Sequence, residues 1–198
     1  MLRILDITSP DINNGQGIRA TLWVAGCSHH CKGCQNKWTW NYCQGEEIKS
    51  LDDIKDRLKE KLDPDYVRGL TISGGDPLCQ DEEGLKMLDE IIHWVKCEYM
   101  FTKDVWLYTG FTADEIFGCG FIQNVHDLRY LRWLIAYRCD VIVDGKYEED
   151  KRDPKLAFRG SSNQRIIHVK SFMATEMNSS TFERYDWNLN DYYDNPKV

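Results

Sequence analysis

No run of about 18 consecutive apolar residues occurs in the 198-residue chain, so no segment reads as a membrane-spanning helix. The opening MLRILDITSPD has no basic stretch followed by an apolar core, and the expectation is a soluble protein of the cytoplasm. Positive charge is in deficit: 25 Lys and Arg against 32 Asp and Glu leave a net charge of -7, which argues against a nucleic-acid surface. Proline is scarce, with five in all, and no internal repeat, low-complexity tract or Pro/Gly-rich linker interrupts the chain before about residue 172. One continuous domain over residues 1–170 is therefore expected. Residues 171–198, rich in Asn, Asp, Ser and Tyr, read as a tail that docks or stays partly disordered.

What the chain has in plenty is cysteine, eight residues in a sequence expected to sit in a reducing compartment. There, clustered thiols more often bind metal or do redox chemistry than form disulfides.

Short β-branched runs at 19–25, 67–72, 104–109, 139–143 and 165–169 are nearly continuously apolar, as in strands of a parallel sheet buried on both faces. Helical patterns lie between them. Ser50 with Asp53 forms a capping box before LDDIKDRLKEKL, and Leu85, Leu88, Ile91, Ile92 and Val95 share a face. Thr112 with Glu115 opens a third helix, and Leu128, Leu131 and Leu134 mark a fourth. The alternation predicts an α/β fold with a parallel sheet, open or curved into a partial barrel. Polar or glycine-rich motifs follow the strands: Ser73-Gly74-Gly75-Asp76-Pro77, Gly110, and Asp144-Gly145-Lys146. Ligands of parallel α/β proteins gather at the carboxyl ends of strands, so these loops are expected to share one site.

Residues 27–34 read CSHHCKGC, a C-x3-C-x2-C spacing with Gly26 and Gly33 beside it. An electron-carrying 4Fe-4S cluster takes four cysteines and a structural zinc four protein ligands, so Cys27, Cys31 and Cys34 alone suggest a cluster with one iron left open. The alternative is a zinc site completed by His29 or His30. Cys43, Cys79, Cys97, Cys119 and Cys139 form no second close cluster in sequence, and His93, His126 and His168 stand alone.

The run NGQGIRATLWVAGCSHHCKGCQNKWTW resembles the glycyl-radical activating enzymes of the radical S-adenosylmethionine (SAM) superfamily. Gly33 within the cysteine motif, together with FRGSSNQRI at 158–166, is most similar to the activating proteins of anaerobic ribonucleotide reductase. The resemblance implies an incomplete parallel (β/α) barrel and a 4Fe-4S cluster on Cys27, Cys31 and Cys34, with SAM on the open iron. Reductive cleavage of SAM would yield a deoxyadenosyl radical that takes hydrogen from a glycine of anaerobic ribonucleoside-triphosphate reductase. It also implies an electron donor such as flavodoxin or ferredoxin.

By the same resemblance, Ser73, Gly74, Gly75 and Asp76 hold the methionine amino group, Asn36 lies beside SAM, and Thr109, Asp144 and Lys146 contact its ribose or carboxylate. Residue chemistry leaves alternatives at each place: a strand-to-helix turn for the glycine loop, turn chemistry for Asn36, and a solvated turn for Asp144 and Lys146. For Arg19 a structural ion pair is preferred. The rival functions are another small radical SAM enzyme, such as an activase of a different glycyl-radical protein, and a non-enzymatic zinc or iron-sulfur module.

Overall fold

The computed structural model describes residues 1–118 and 126–178. Within them a seven-stranded mixed sheet runs in the order β3-β1-β2-β4-β5-β6-β7. Its strands are β1 (Arg3–Asp11), β2 (Ile18–Val24), β3 (Glu46–Glu47), β4 (Val67–Gly74), β5 (Asp104–Tyr108), β6 (Val141–Asp144) and β7 (Arg165–His168). The four central strands β2, β4, β5 and β6 are parallel, as the alternation predicted. The edges depart from it: β1 and β3 on one side and β7 on the other run antiparallel to their neighbours. β1 escaped the sequence reading because RILDITSPD mixes charged and apolar positions and holds a proline. β7 was expected as a strand, but its direction is set by the loop from Gly145 to Gln164, which contains no crossover α-helix.

The helices are α1 (Leu51–Leu62), α2 (Glu82–Glu98), α3 (Ala113–Phe117), α4 (Leu128–Arg138) and α5 (Val169–Asn178). Both predicted capping boxes form: Ser50 with Asp53 starts α1, and Thr112 with Glu115 starts α3. The chain boundary expected at residue 170 falls inside α5, and Met173 of that helix packs on the core. Residues 179–198, where most of the expected tail lies, and Cys119 fall outside the described residues. Among the described residues no helix is long and apolar enough to cross a membrane.

The two faces of the sheet differ. Ala20, Leu22, Val24, Leu70, Ile72, Val105, Leu107 and Ile142 pack with Ile54, Leu58, Leu85, Leu88 and Ile91 of the helices into one core. The alternate residues face the other way and include Arg19, Thr21, Thr71 and Ser73, beside a small cluster of Trp106, Val141 and Val143. β2 and β4 are thus largely apolar on one face only, whereas β5 and β6 bury apolar residues on both, as expected. Arg19 is fully buried on the polar face, where it pairs with Asp104 at 2.6 Å and donates to Thr71 Oγ1 at 2.6 Å and the Leu70 carbonyl at 2.8 Å. Its role is the expected ion pair, reinforced by stacking over Trp106.

Candidate functional site

Parallel register decides which loops meet. Val24 is opposite Gly74, and Leu107 is opposite both Ile72 and Ile142, so the loops after β2, β4, β5 and β6 emerge side by side at the carboxyl ends. They border a cavity of about 1000 Å³. Its lining includes Cys27, Cys31, Cys34, Asn36, Ser73, Gly74, Gly75, Asp76, Thr109 and Lys146, which brings together all but one of the candidate residues.

The cysteine loop is folded back by close backbone contacts. Gly26 has φ +96°, and a Cβ there would lie 2.1 Å from the Tyr42 ring. The Gly26 amide donates to the Thr39 carbonyl at 2.7 Å, while its carbonyl accepts from Asp76 N–H at 2.8 Å. Backbone N–H groups surround the thiols: Asn36 N–H donates to Cys34 at 3.4 Å, and the amides of His29 and Tyr147 lower the pKa values of Cys27 and Cys31 against the opposing effect of burial. Such donors stabilise negative sulfur and tune an iron-sulfur cluster. Lys146 adds positive charge near Cys31, and burial still holds the Cys31 thiol above its ordinary range.

Across the cavity, Gly75 lies so close to the cysteine loop that a Cβ would sit 2.2 Å from the Gly26 carbonyl oxygen. Asp76 is 2% exposed, and its carboxylate is already engaged. It accepts from Leu78 N–H at 2.8 Å, Thr109 Oγ1 at 3.0 Å, Gly110 N–H at 2.7 Å and His29 Nε2 at 2.7 Å. The hydrogen bond to Asp76, followed by one to Cys79, pushes His29 up to about 9, against the opposing effect of burial.

Asn36 starts a short 3-10 turn, but its side chain makes no capping bond, so turn chemistry does not occupy it. Asp144 is the candidate that lies apart. It is absent from the cavity wall and 1% exposed; its carboxylate accepts from Ala113 N–H at the start of α3 and from Arg165 Nε at 3.1 Å and Nη2 at 2.5 Å. Its carboxylate is thus engaged by a helix start and a guanidinium, away from the lining that the other candidates share. Of the FRGSSNQRI segment, Phe158, Arg159, Gly160 and Gln164 line the cavity. Gln164 also fastens the loop by donating to the Gly145 carbonyl and accepting from Gly160 N–H.

A family model described as a 4Fe-4S single cluster domain matches residues 13–167. The anaerobic ribonucleoside-triphosphate reductase-activating protein of Pasteurella multocida is 40% identical over 169 residues, 82% of this chain and 94% of that protein. The proteins of the same name from Enterobacteria phage T4 and Escherichia coli are 37% and 34% identical, over 79% and 81% of this chain and 87% and 94% of their own lengths. This chain belongs to the anaerobic ribonucleoside-triphosphate reductase-activating protein family. Among solved structures, QueE from Escherichia coli aligns with a TM-score of 0.38 at 17% identity, over 57% of this chain and 54% of its own.

Membership of the activating-protein family bears on the two histidines offered as zinc ligands. His29 turns to Asp76, with its side chain 9% exposed, and His30 packs its ring 4.8 Å from that of Trp40. Neither completes a zinc site with the three cysteines. Two neighbours of the cysteine motif were not legible in sequence. The contact between Cys79 and Cys27 pulls the Cys79 thiol below its ordinary range and, with burial, pushes Cys27 above it, and the Tyr147 amide lies near Cys31. Only the strand register brings residues so distant in sequence together.

Proposed function

We propose that this chain is a radical SAM activase that generates a glycyl radical on anaerobic ribonucleoside-triphosphate reductase, with Cys27, Cys31 and Cys34 holding the cluster. The observation that carries the reading is the placement of the three thiols in the lining of one cavity together with the backbone of Ser73, Gly74 and Gly75, which packs against the cysteine loop at Gly26. The residues present fit the group. Three cysteines leave one iron for a small ligand, and the bare backbone of Ser73, Gly74 and Gly75 offers carbonyls to an ammonium at close approach. When bound, the cluster and SAM supply one-electron cleavage of a sulfonium and the radical chemistry that follows.

The chain's own residues bind, orient and exclude water. The Ser73–Gly75 backbone takes the amino group of SAM, Lys146 faces its carboxylate as a charge-assisted donor, and Asn36 and Thr109 border the nucleoside. Asp76 braces the glycine loop, and Asp144 stands behind the site as a structural acid. The sheet forms the wall of an incomplete barrel: helices cover one face, and the face bearing Thr21, Ser73 and Tyr108 turns to the cavity. The reductase segment enters the open side past Phe158 and Arg159. The electron comes from a small redox protein of the flavodoxin or ferredoxin class.

The test is anaerobic reconstitution followed by reductant and SAM, with 5′-deoxyadenosine measured by chromatography and iron and sulfide by assay. Wild type and Cys79→Ser are expected to load iron and form product, while Cys27→Ser, Cys31→Ser and Cys34→Ser are expected to form none. Zinc without sulfide in the wild type would overturn the reading.

A further inference from the structure

His29 reaches from the cysteine loop to the buried carboxylate at the end of the glycine loop and is held there from several sides. Its Nε2 lies 2.7 Å from Asp76 Oδ2, and it also hydrogen-bonds the Cys79 thiol, so it grips both ends of the turn after β4. The ring packs edge-on against Phe111 at 4.8 Å and rests on Gly110, where a Cβ would come within 2.5 Å of it. Asp76 in turn receives Thr109 Oγ1 and Gly110 N–H from the end of β5. One imidazole thus ties the loops after β2, β4 and β5 together, beside the wall where SAM is read to bind.

We propose that His29 is a positioning residue for SAM: through Asp76 it fixes the distance between the cysteine loop and the Ser73–Gly75 backbone. This inference rests on the radical SAM reading and adds a residue to it. A ligand that must touch both the open iron and the glycine backbone binds well only if that gap is set beforehand, because otherwise binding must order the loops. His29 is engaged by Asp76, Phe111 and Gly110, so its effect is expected on affinity rather than on the chemical step. Losing one charge-assisted hydrogen bond in a buried place corresponds to about a tenfold loss of binding.

The experiment compares wild type with His29→Ala, His29→Asn and His29→Gln, all reconstituted anaerobically. Iron and sulfide content, SAM dissociation constant by equilibrium dialysis, and KM and kcat for 5′-deoxyadenosine formation are measured on each. Glutamine places an N–H near the position of Nε2, whereas asparagine is too short to reach. The expected result is iron content equal to wild type in all three. Alanine and asparagine weaken SAM binding and raise KM about tenfold, with kcat falling less than threefold, and glutamine stays within about threefold of wild type.

Unchanged SAM affinity in the alanine variant overturns the proposal. So does glutamine as weak as alanine, since the bond would then not be the means. Loss of iron from the alanine and asparagine variants also overturns it, by making His29 a cluster-assembly residue. Wild-type protein that neither binds SAM nor yields 5′-deoxyadenosine would instead defeat the underlying reading, so the two failures are told apart.

Discussion

Asp144 separates the two interpretations of the loop after β6, and Asp144→Asn tests them directly. The substitution keeps the volume and removes the charge from a side chain that is 1% exposed. In the native protein this carboxylate caps the first turn of α3 through Ala113 N–H at 2.7 Å and pairs with Arg165. Breaking a buried pair by neutralising one partner costs about 3–5 kcal/mol when the remaining charge is left uncompensated. Arg165 is not wholly abandoned, because Asp114 lies 3.3 Å away and the Arg165 side chain is 19% exposed. The loss should therefore fall at or below the low end, about 2–3 kcal/mol, of which the charge-assisted bonds account for most. At roughly 2–4 °C per kcal/mol for a chain of this size, Tm should drop by about 4–12 °C. Calorimetry on the cluster-free variant measures this, and SAM affinity of the reconstituted variant supplies the contrast. The reasoning predicts a lowered Tm with SAM affinity within about twofold of wild type. An unchanged Tm together with a large loss of SAM affinity would refute it and return Asp144 to the ligand shell.

Two further outcomes are expected. Gly75→Ala sets a Cβ 2.2 Å from the Gly26 carbonyl oxygen, a backbone contact that no side-chain rotation relieves. The variant should therefore retain less iron after gel filtration and bind SAM at least tenfold more weakly; wild-type values in both would show that the loops part at no cost. Asp11 is buried, which by itself raises its pKa, yet hydrogen bonds from Thr21, Asn13 and Asn14 hold the carboxyl below its ordinary value. A depressed folded-state value stabilises fully above the unfolded carboxylate value near 4 and loses that contribution as pH falls through the lower one. The stability gap between wild type and Asp11→Asn should therefore narrow in urea titrations taken from pH 5 downward, and a gap independent of pH would contradict the assignment.

The central part of this fold was legible because its signals are local. Capping boxes at Ser50 and Thr112 and the apolar spacing of α2 depend on residues three or four apart, and all three helices form where they were expected. The antiparallel edges were not legible, since β1 lacks a continuous apolar run and the direction of β7 is a property of the loop before it. In the site, Cys27, Cys31 and Cys34 announce themselves by spacing within eight residues. The hydrogen-bonded set of His29, Asp76, Cys79 and Thr109 spans 81 positions and has no sequence pattern of its own. It exists because Val24 pairs with Gly74 and Ile72 with Leu107. The pairing of Asp144 with Arg165, 21 residues further along, was hidden for a related reason: it forms across the register of β6 and β7.

The Asp76 N–H to Gly26 carbonyl bond has a consequence for synthesis. The cysteine motif leaves the ribosome well before the turn after β4 that braces it. During that interval Cys27, Cys31 and Cys34 belong to a nascent chain whose second wall has not been made. Iron delivered then would meet three thiols on a loose loop, whereas iron delivered after residue 76 has joined the sheet meets a finished cradle. The brace on the cysteine loop thereby forms only after translation of at least the first four strands.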